Sequence, residues 1–389
     1  MRAQKMERRY ACRQHRNRQG AVLVLAAIML FMMLAFLAFT VDTGYLAASK
    51  AEIRRSADSA ALAGCWELYD GLSHGKSLSQ SEADVAAESA LYAGLNQIAN
   101  TSPGLSNEIN SRSVEVGYLS SINSNSISTN ASLPFHAVRV TVKKNSQQNG
   151  EIPFFFGRIF GDSGRAIDAA ATAVMARNIS GFTTPSNAQE TLDVLPFALD
   201  LQTWNTIAAN TAQDTLSYNP STGAVTNGGD GIREVNLYPQ GTGSPGNRGT
   251  VDIGGANNST ADISRQIVYG ISQADIQQLG KSLNFNSTGT MTLNGDTGIS
   301  AGVKDELASI IGQPRIIPVF STVSGNGNNA NYTIVKWVGV RILSVKLTGA
   351  MSQKAVVIQP APIVSRNFVI GNSETNTSDY VYSPVLLTR

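Results

Sequence analysis

Cysteine is nearly missing: the 389 residues hold two, Cys12 and Cys65. Two such residues make no disulfide framework, and neither belongs to a CxxC pair of the metal or redox kind. Histidine is as scarce, at His15, His74 and His136, without HExxH spacing or a Cys–His arrangement. GxSxG occurs at 71–75 ("GLSHG") and 298–302 ("GISAG"), but one follows a helical pattern and the other an acidic turn, where a nucleophile elbow needs a preceding strand. Zinc-dependent hydrolysis and Cys nucleophilic catalysis therefore leave no signature, and neither GxSxG string reads as the strand–turn–helix of a Ser nucleophile. Charge is also low, at 15% of residues and a nominal net +2. Seven of the 30 Lys and Arg lie before Gly20, opposed only by Glu7, so the rest of the chain is net acidic. No basic stripe interleaves with aromatics, which excludes a nucleic-acid footprint.

The nucleotide-binding strings fail on context. "GTGSPG" (241–246) satisfies GxGxxG, but Pro245 and turn-like residues follow where a helix is required. "LGKSL" (279–283) has Asp275 where a P-loop needs glycine. The acidic turns "NGGDG" (227–231) and "NGDTG" (294–298) lack the ligand count of an EF-hand loop. The reading is of a non-enzymatic chain with no cofactor and no metal site.

What is present is one long apolar run. Residues 21–41, "AVLVLAAIMLFMMLAFLAFTV", carry no charge. As a helix they span ~31 Å, which matches the ~30 Å hydrocarbon core of a bilayer. The basic cluster precedes the run and Asp42 follows it, so the positive-inside bias puts residues 1–20 in the cytoplasm and the bulk of the chain outside. A cleaved signal peptide has a shorter apolar region ending in a small-x-small site. Here the run is longer and leads into a helical pattern, which favours a retained anchor. Prepilin-type processing after Gly20 expects Glu five residues on, and Leu25 stands there.

The helical pattern continues to Trp66. Leu46, Ile53, Ala57, Ala60, Ala61 and Gly64 fall on one broad face of mostly small residues. Such a stripe lets a second helix approach closely. Two readings stand open: packing on the chain's own extracytoplasmic domain, or packing on a partner or a second copy. On the second reading, leucine at Ala57 and Ala61 weakens the contact between chains.

The string from Arg18 to Gly64, "RQGAVLVLAAIMLFMMLAFLAFTVDTGYLAASKAEIRRSADSAALAG", resembles the N-terminal region of TadG-like proteins of Flp (tight-adherence) pilus assembly. The matching positions are Gly20, Val41, Asp42, Gly44, Asp58, Ala60, Ala61, Leu62 and Ala63. "PFFFGRIFG" (153–161) followed by "AIDAAATAVMA" (166–176) extends the resemblance to about residue 180. It implies a single-pass protein of the bacterial inner membrane that supports a pilus or a related secretion apparatus, with assembly proteins and the lipid bilayer as partners. Many such chains continue into a von Willebrand factor A domain, whose metal site needs Asp-x-Ser-x-Ser. "DISRQ" (262–266) keeps only the Asp and first Ser, so no metal-dependent adhesion site is expected.

The fold class expected is α+β: a transmembrane helix at 21–41, a membrane-proximal α+β unit at 42–180, a linker at 181–190 and a β-rich domain at 191–389. In the membrane-proximal unit a second helix is expected over 79–100, with a Ser79–Glu82 capping box and a buried stripe of Ala83, Ala86, Ala87, Ala90, Leu91, Gly94 and Ile98. "SVEVGYL" (113–119), "HAVRVTVKK" (136–144) and "ATAVMA" (171–176) alternate as strands. Farther on, 193–199, 233–239, 315–321, 332–349 and 354–364 read as strands, and 259–272 and 300–314 as capped helices. The other functional reading is an anchored adhesin or glycan-binding module, which calls for an exposed aromatic patch containing Trp204 or Trp337.

Overall fold

The structure, a computed structural model, describes residues 19–74, 76–105, 113–121, 124, 126–130, 135–238, 249–254, 259–296, 299–325, 329–371 and 376–388. Both Cys12 and the basic segment lie outside the described residues, as do "GTGSPG" and the end of "NGDTG".

Helix α1 runs unbroken from Gln19 to Ser73, 55 residues and ~82 Å at the helical rise. No proline interrupts it, and its second half is rich in alanine, the strongest helix former. Its two halves meet different surroundings. From Val22 to Val41 the large apolar side chains are 41–73% exposed, so none of the described residues covers them. Among the described residues this is the one helix long and apolar enough to cross a membrane. Beyond Asp42 the helix enters a protein core, burying Ser49, Ile53, Ser56, Ala57, Ala60, Ala61, Cys65 and Leu68.

Helix α2 (Leu78–Leu95) packs back along α1. Its capping box is Ser77 with Gln80, two residues earlier than the Ser79–Glu82 spacing suggests: the Ser77 hydroxyl accepts from Gln80 N at 3.4 Å and Gln80 Oε1 accepts from Ser77 N at 3.1 Å. The buried face also differs from the alanine stripe. Ser81, Val85, Ser89 and Ala93 point inward, while Ala83, Ala87 and Leu91 are exposed. Fit to α1 decides this. A Cβ on Gly64 would lie 2.2 Å from Ser89 Oγ, and one on Gly71 2.7 Å from Ser81 Oγ. The serines fill notches that only glycine leaves, so close approach outweighs apolar count. Ser56 Oγ, donating to Ala93 O at 3.1 Å, closes the far end.

The helix pair lies on an antiparallel sheet of β1 (Val114–Leu119), β2 (Ile127–Ser128), β3 (Ala137–Lys144) and β6 (Ile167–Met175), in the order β2-β1-β3-β6, with a short hairpin of β4 (Ile152–Pro153) and β5 (Gly164–Arg165) between β3 and β6. Alternation sends Val138, Val140, Val142, Ala171, Ala173 and Met175 into the α1 core. The far edge of β6 pairs with the C-terminal strand Val385–Thr388, Val385 opposite Met175. The chain thus leaves the unit after β6 and returns to complete its sheet. Two serines pin the crossing: Ser378 Oγ accepts from Ile179 N at 2.9 Å, and Ser383 Oγ from Ala176 N at 2.8 Å.

Residues at the start of the expected linker belong to a strand, Ile179–Phe182, which pairs with Leu283–Asn284 and Val369–Ile370 and buries Phe182. Beyond it, strands Ala330–Lys346, Met291–Asp296, Gly249–Val251, Phe197–Asp200 and Pro314–Ser324 pair in succession and close a ring, since the last pairs with the first. Closure removes open edges. The stretch 332–349 falls largely within one 17-residue strand. Gly339, where a Cβ would lie 2.4 Å from Ala361 O and 2.5 Å from Tyr380 O, lets neighbouring chain press against it.

Asp379 sits where this unit turns back toward the first. Its carboxylate accepts from Trp204 Nε1 at 2.8 Å, Lys336 Nζ at 2.9 Å and Asn376 Nδ2 at 2.9 Å. Burial pushes this carboxyl up, but the hydrogen bonds and the Lys336 charge outweigh it and hold it below the usual range. A carboxyl depressed in the folded state stabilises above its unfolded value of about 4, and that stability is lost as pH falls through the folded value. Asp379→Asn is therefore expected to lower stability at pH 7 and to flatten the loss between pH 5 and pH 3, checked by urea midpoints across that window.

Candidate membrane-proximal site

The sequence-selected residues of α1 separate by face. Ile53, Ala57, Ala60 and Ala61 are at most 1% exposed, in a core with Val85 of α2 and the valines of β3. Gly64 faces Ser89 and Val138, and Leu46 is half-buried against the same core. The chain's own elements fill this face, so a partner helix has no access to it, and leucine at Ala57 or Ala61 would disturb the domain itself. Of the motif positions, Gly20 lies in the first turn of α1, Gly44 is exposed with nothing within 4 Å of its Cβ position, and Asp58 is half-buried on the flank.

Asp42 does something the sequence does not announce. Its side chain, 8% exposed, reaches across to the loop between β4 and β5. Oδ1 accepts from Phe155 N at 2.8 Å and Oδ2 from Gly157 N at 2.8 Å, while Phe156 N lies 3.1 Å from Oδ2 and 3.4 Å from Oδ1. Three successive backbone amides thus converge on one carboxylate, the nest arrangement that suits an anion. The loop takes this form for local reasons. Ile152 is fully buried and fixes the base of the hairpin. Gly157 leaves no room for a side chain, since a Cβ there would lie 2.9 Å from Asp162 O and Phe154 Cδ2. A single 3₁₀ turn, Gly157–Phe160, follows and ends at Gly161 with φ +91°.

Only part of the loop's apolar surface finds a neighbour. The Phe155 ring meets Tyr45 edge-on at 5.1 Å. Phe155 is nevertheless 58% exposed, Ile159 77% and Phe160 76%. The sequence strings that carry the resemblance, "VDTG" and "PFFFGRIFG", are therefore one site in space. Nothing in the sequence joins the two strings, because a hydrogen bond across 113 residues has no periodicity to reveal it.

Other polar groups are occupied or shielded. The Asp214 carboxylate accepts from the amides of Asp230 and Gly231, which accounts for the "NGGDG" turn. Among the described residues no three His, Cys, Asp or Glu side chains gather as a metal site would need. Trp204 is 2% exposed and Trp337 is fully buried, its ring stacked on Phe285 at 5.8 Å, so neither offers a platform to a glycan. Cys65 is fully buried on α1, and burial pushes its thiol far up. In a Cys12→Ser chain, Cys65 is expected to resist iodoacetamide for hours under native conditions and to react within minutes in denaturant, as read by mass spectrometry.

Two family models match this part of the chain. One, described as Flp pilus-assembly TadE/G-like, covers residues 20–67. The other, described as Tad-like Flp pilus-assembly, covers residues 63–173. Together they extend from the first turn of α1 into β6 and take in both halves of the Asp42 site. No curated protein and no solved structure matches the chain. The resemblance to TadG-like proteins stands on these matches, which point to a role in Tad pilus assembly.

Proposed function

We propose that the chain is a membrane-anchored, non-enzymatic structural protein of Flp-type pilus assembly or a related secretion apparatus. Residues 21–41 cross the inner membrane once, residues 1–20 remain in the cytoplasm, and the two folded units stand on the outer side. The observation that supports this most directly is the continuity of α1: the exposed apolar half and the half buried in the family-matched domain are one helix. An exposed apolar surface of this length has no stable place in water. The domain's contact with other assembly proteins lies on surfaces other than the Ile53–Gly64 face, which its own core occupies.

The test uses the native host. Carbonate-washed membranes retain the full chain and lose a variant lacking residues 22–41, and added protease digests the bulk of the chain only once the outer side is opened. Deletion of the gene abolishes pili, and the full chain restores them while the anchorless variant does not. Recovery of the mature chain in the soluble fraction without its first forty residues, or normal piliation without the gene, overturns the proposal.

A further inference from the structure

We propose that the loop Phe155–Phe160 is a second membrane contact, seated in the headgroup and upper acyl region of the leaflet from which α1 emerges. This inference rests on the anchor reading above. The loop's height is fixed by Asp42, the first charged residue after an apolar run as long as the hydrocarbon core is thick. Three amides of the loop bond to that carboxylate, so residues 155–157 lie at the level where the lipid surface begins. The 3₁₀ turn that follows touches α1 as well.

The composition of the loop fits that level. Phe155, Phe156, Ile159 and Phe160 present their side chains outward, Phe160 at 76% exposure, on a tip too short to form a core of its own. Aromatic and branched apolar side chains with nearby cations are what an interfacial segment needs. Arg158 and Arg165 are exposed beside them and suit lipid phosphates, opposed by Asp162 on the tip and by the exposed Glu151 at the hairpin base. A protein partner would also cover such a patch. Lipid is favoured because the patch is continuous with the surface of the span: Phe36, Phe39 and Val41 stand exposed on α1 just before the bonded Asp42.

The experiment places a nitroxide label on the full chain in vesicles of phosphatidylcholine and phosphatidylglycerol. Cysteine replaces Phe160 in a Cys12→Ser background, with Phe31→Cys as the anchor control, Thr226→Cys as the aqueous control and the unlabelled background checking Cys65. The label at 160 is expected to collide with oxygen several-fold more than with a water-soluble nickel complex, as at 31 and opposite to 226. Adding Asp42→Ala should shift it toward the aqueous value. A label at 160 that behaves like 226 while 31 behaves as lipid-exposed overturns this inference and leaves the anchor standing. Aqueous behaviour at both 31 and 160 overturns the anchor and the loop contact together. A label at 160 shielded from both reagents means that a second copy covers the patch, and that also overturns the lipid contact.

Discussion

Replacing Asp42 with alanine should free the Phe155–Gly157 loop from α1. The substitution strands three amides that now share one carboxylate. A hydrogen bond to a charged group contributes ~1.5–3 kcal/mol, and the three are not additive because the freed loop can hydrate. A net cost of about 3 kcal/mol to the closed loop follows, or roughly a hundredfold faster amide exchange at 155–157. Hydrogen-exchange mass spectrometry on the detergent-solubilised chain reads this directly. Asp42→Asn keeps one acceptor oxygen and loses the charge, so it should fall between wild type and alanine. Unchanged protection in Asp42→Ala would mean that Ile152 and the β4–β5 hairpin hold the loop without it. Melting of the core should move little, because the hydrogen bonds lie at its edge.

Gly64→Leu should do the opposite, wrecking the core while the loop stays bonded. The first added carbon already lies 2.2 Å from Ser89 Oγ and 3.2 Å from Val138 Cγ1, with sheet on one side and α2 on the other. Overpacking costs ~1–3 kcal/mol where neighbours can yield. Here four added carbons must push α2 off α1, so the loss should reach the upper end of that range or beyond it, a large share of the ~5–15 kcal/mol that holds a domain. Gly64→Ala gives the sharper check. In the wild-type background it should destabilise. With Ser89→Ala the nearest atom is gone, and the ~1 kcal/mol helix preference of alanine over glycine remains, so the double variant should be as stable as wild type or more so. Ser89 Oγ has no hydrogen-bond partner, so its removal alone costs little. Denaturant unfolding of the four chains in micelles yields the coupling energy. Additive effects would show that α2 yields freely at this notch.

What the sequence displayed was whatever repeats at a fixed interval. The apolar run, its helical continuation and the alternation of β1, β3 and β6 are periodic, and the folded chain has each of them. What it concealed depends on a partner far away in the chain. The inward face of α2 is chosen by glycines of α1 that no alanine count weighs. The Ser77–Gln80 box competes with an equally plausible one two residues on, and both satisfy the same spacing rule. The Val385–Thr388 strand reads as an ordinary short apolar segment, yet it completes a sheet far back in the chain in register, Leu386 opposite Val174. The family-matched stretch ends at residue 173, before this closing strand. A fragment cut at that boundary would leave the β6 edge unpaired, and the return of the chain ties the fate of the two units together.

The unbroken course of α1 also has a mechanical meaning. About 47 Å of it extends past Asp42 into the folded body, without a proline or a loop to serve as a joint. A lean of ten degrees in the exposed apolar half would swing the far end through ~8 Å. If the apolar half is anchored in lipid as proposed, traction on the folded body reaches it as torque rather than being dissipated in a tether.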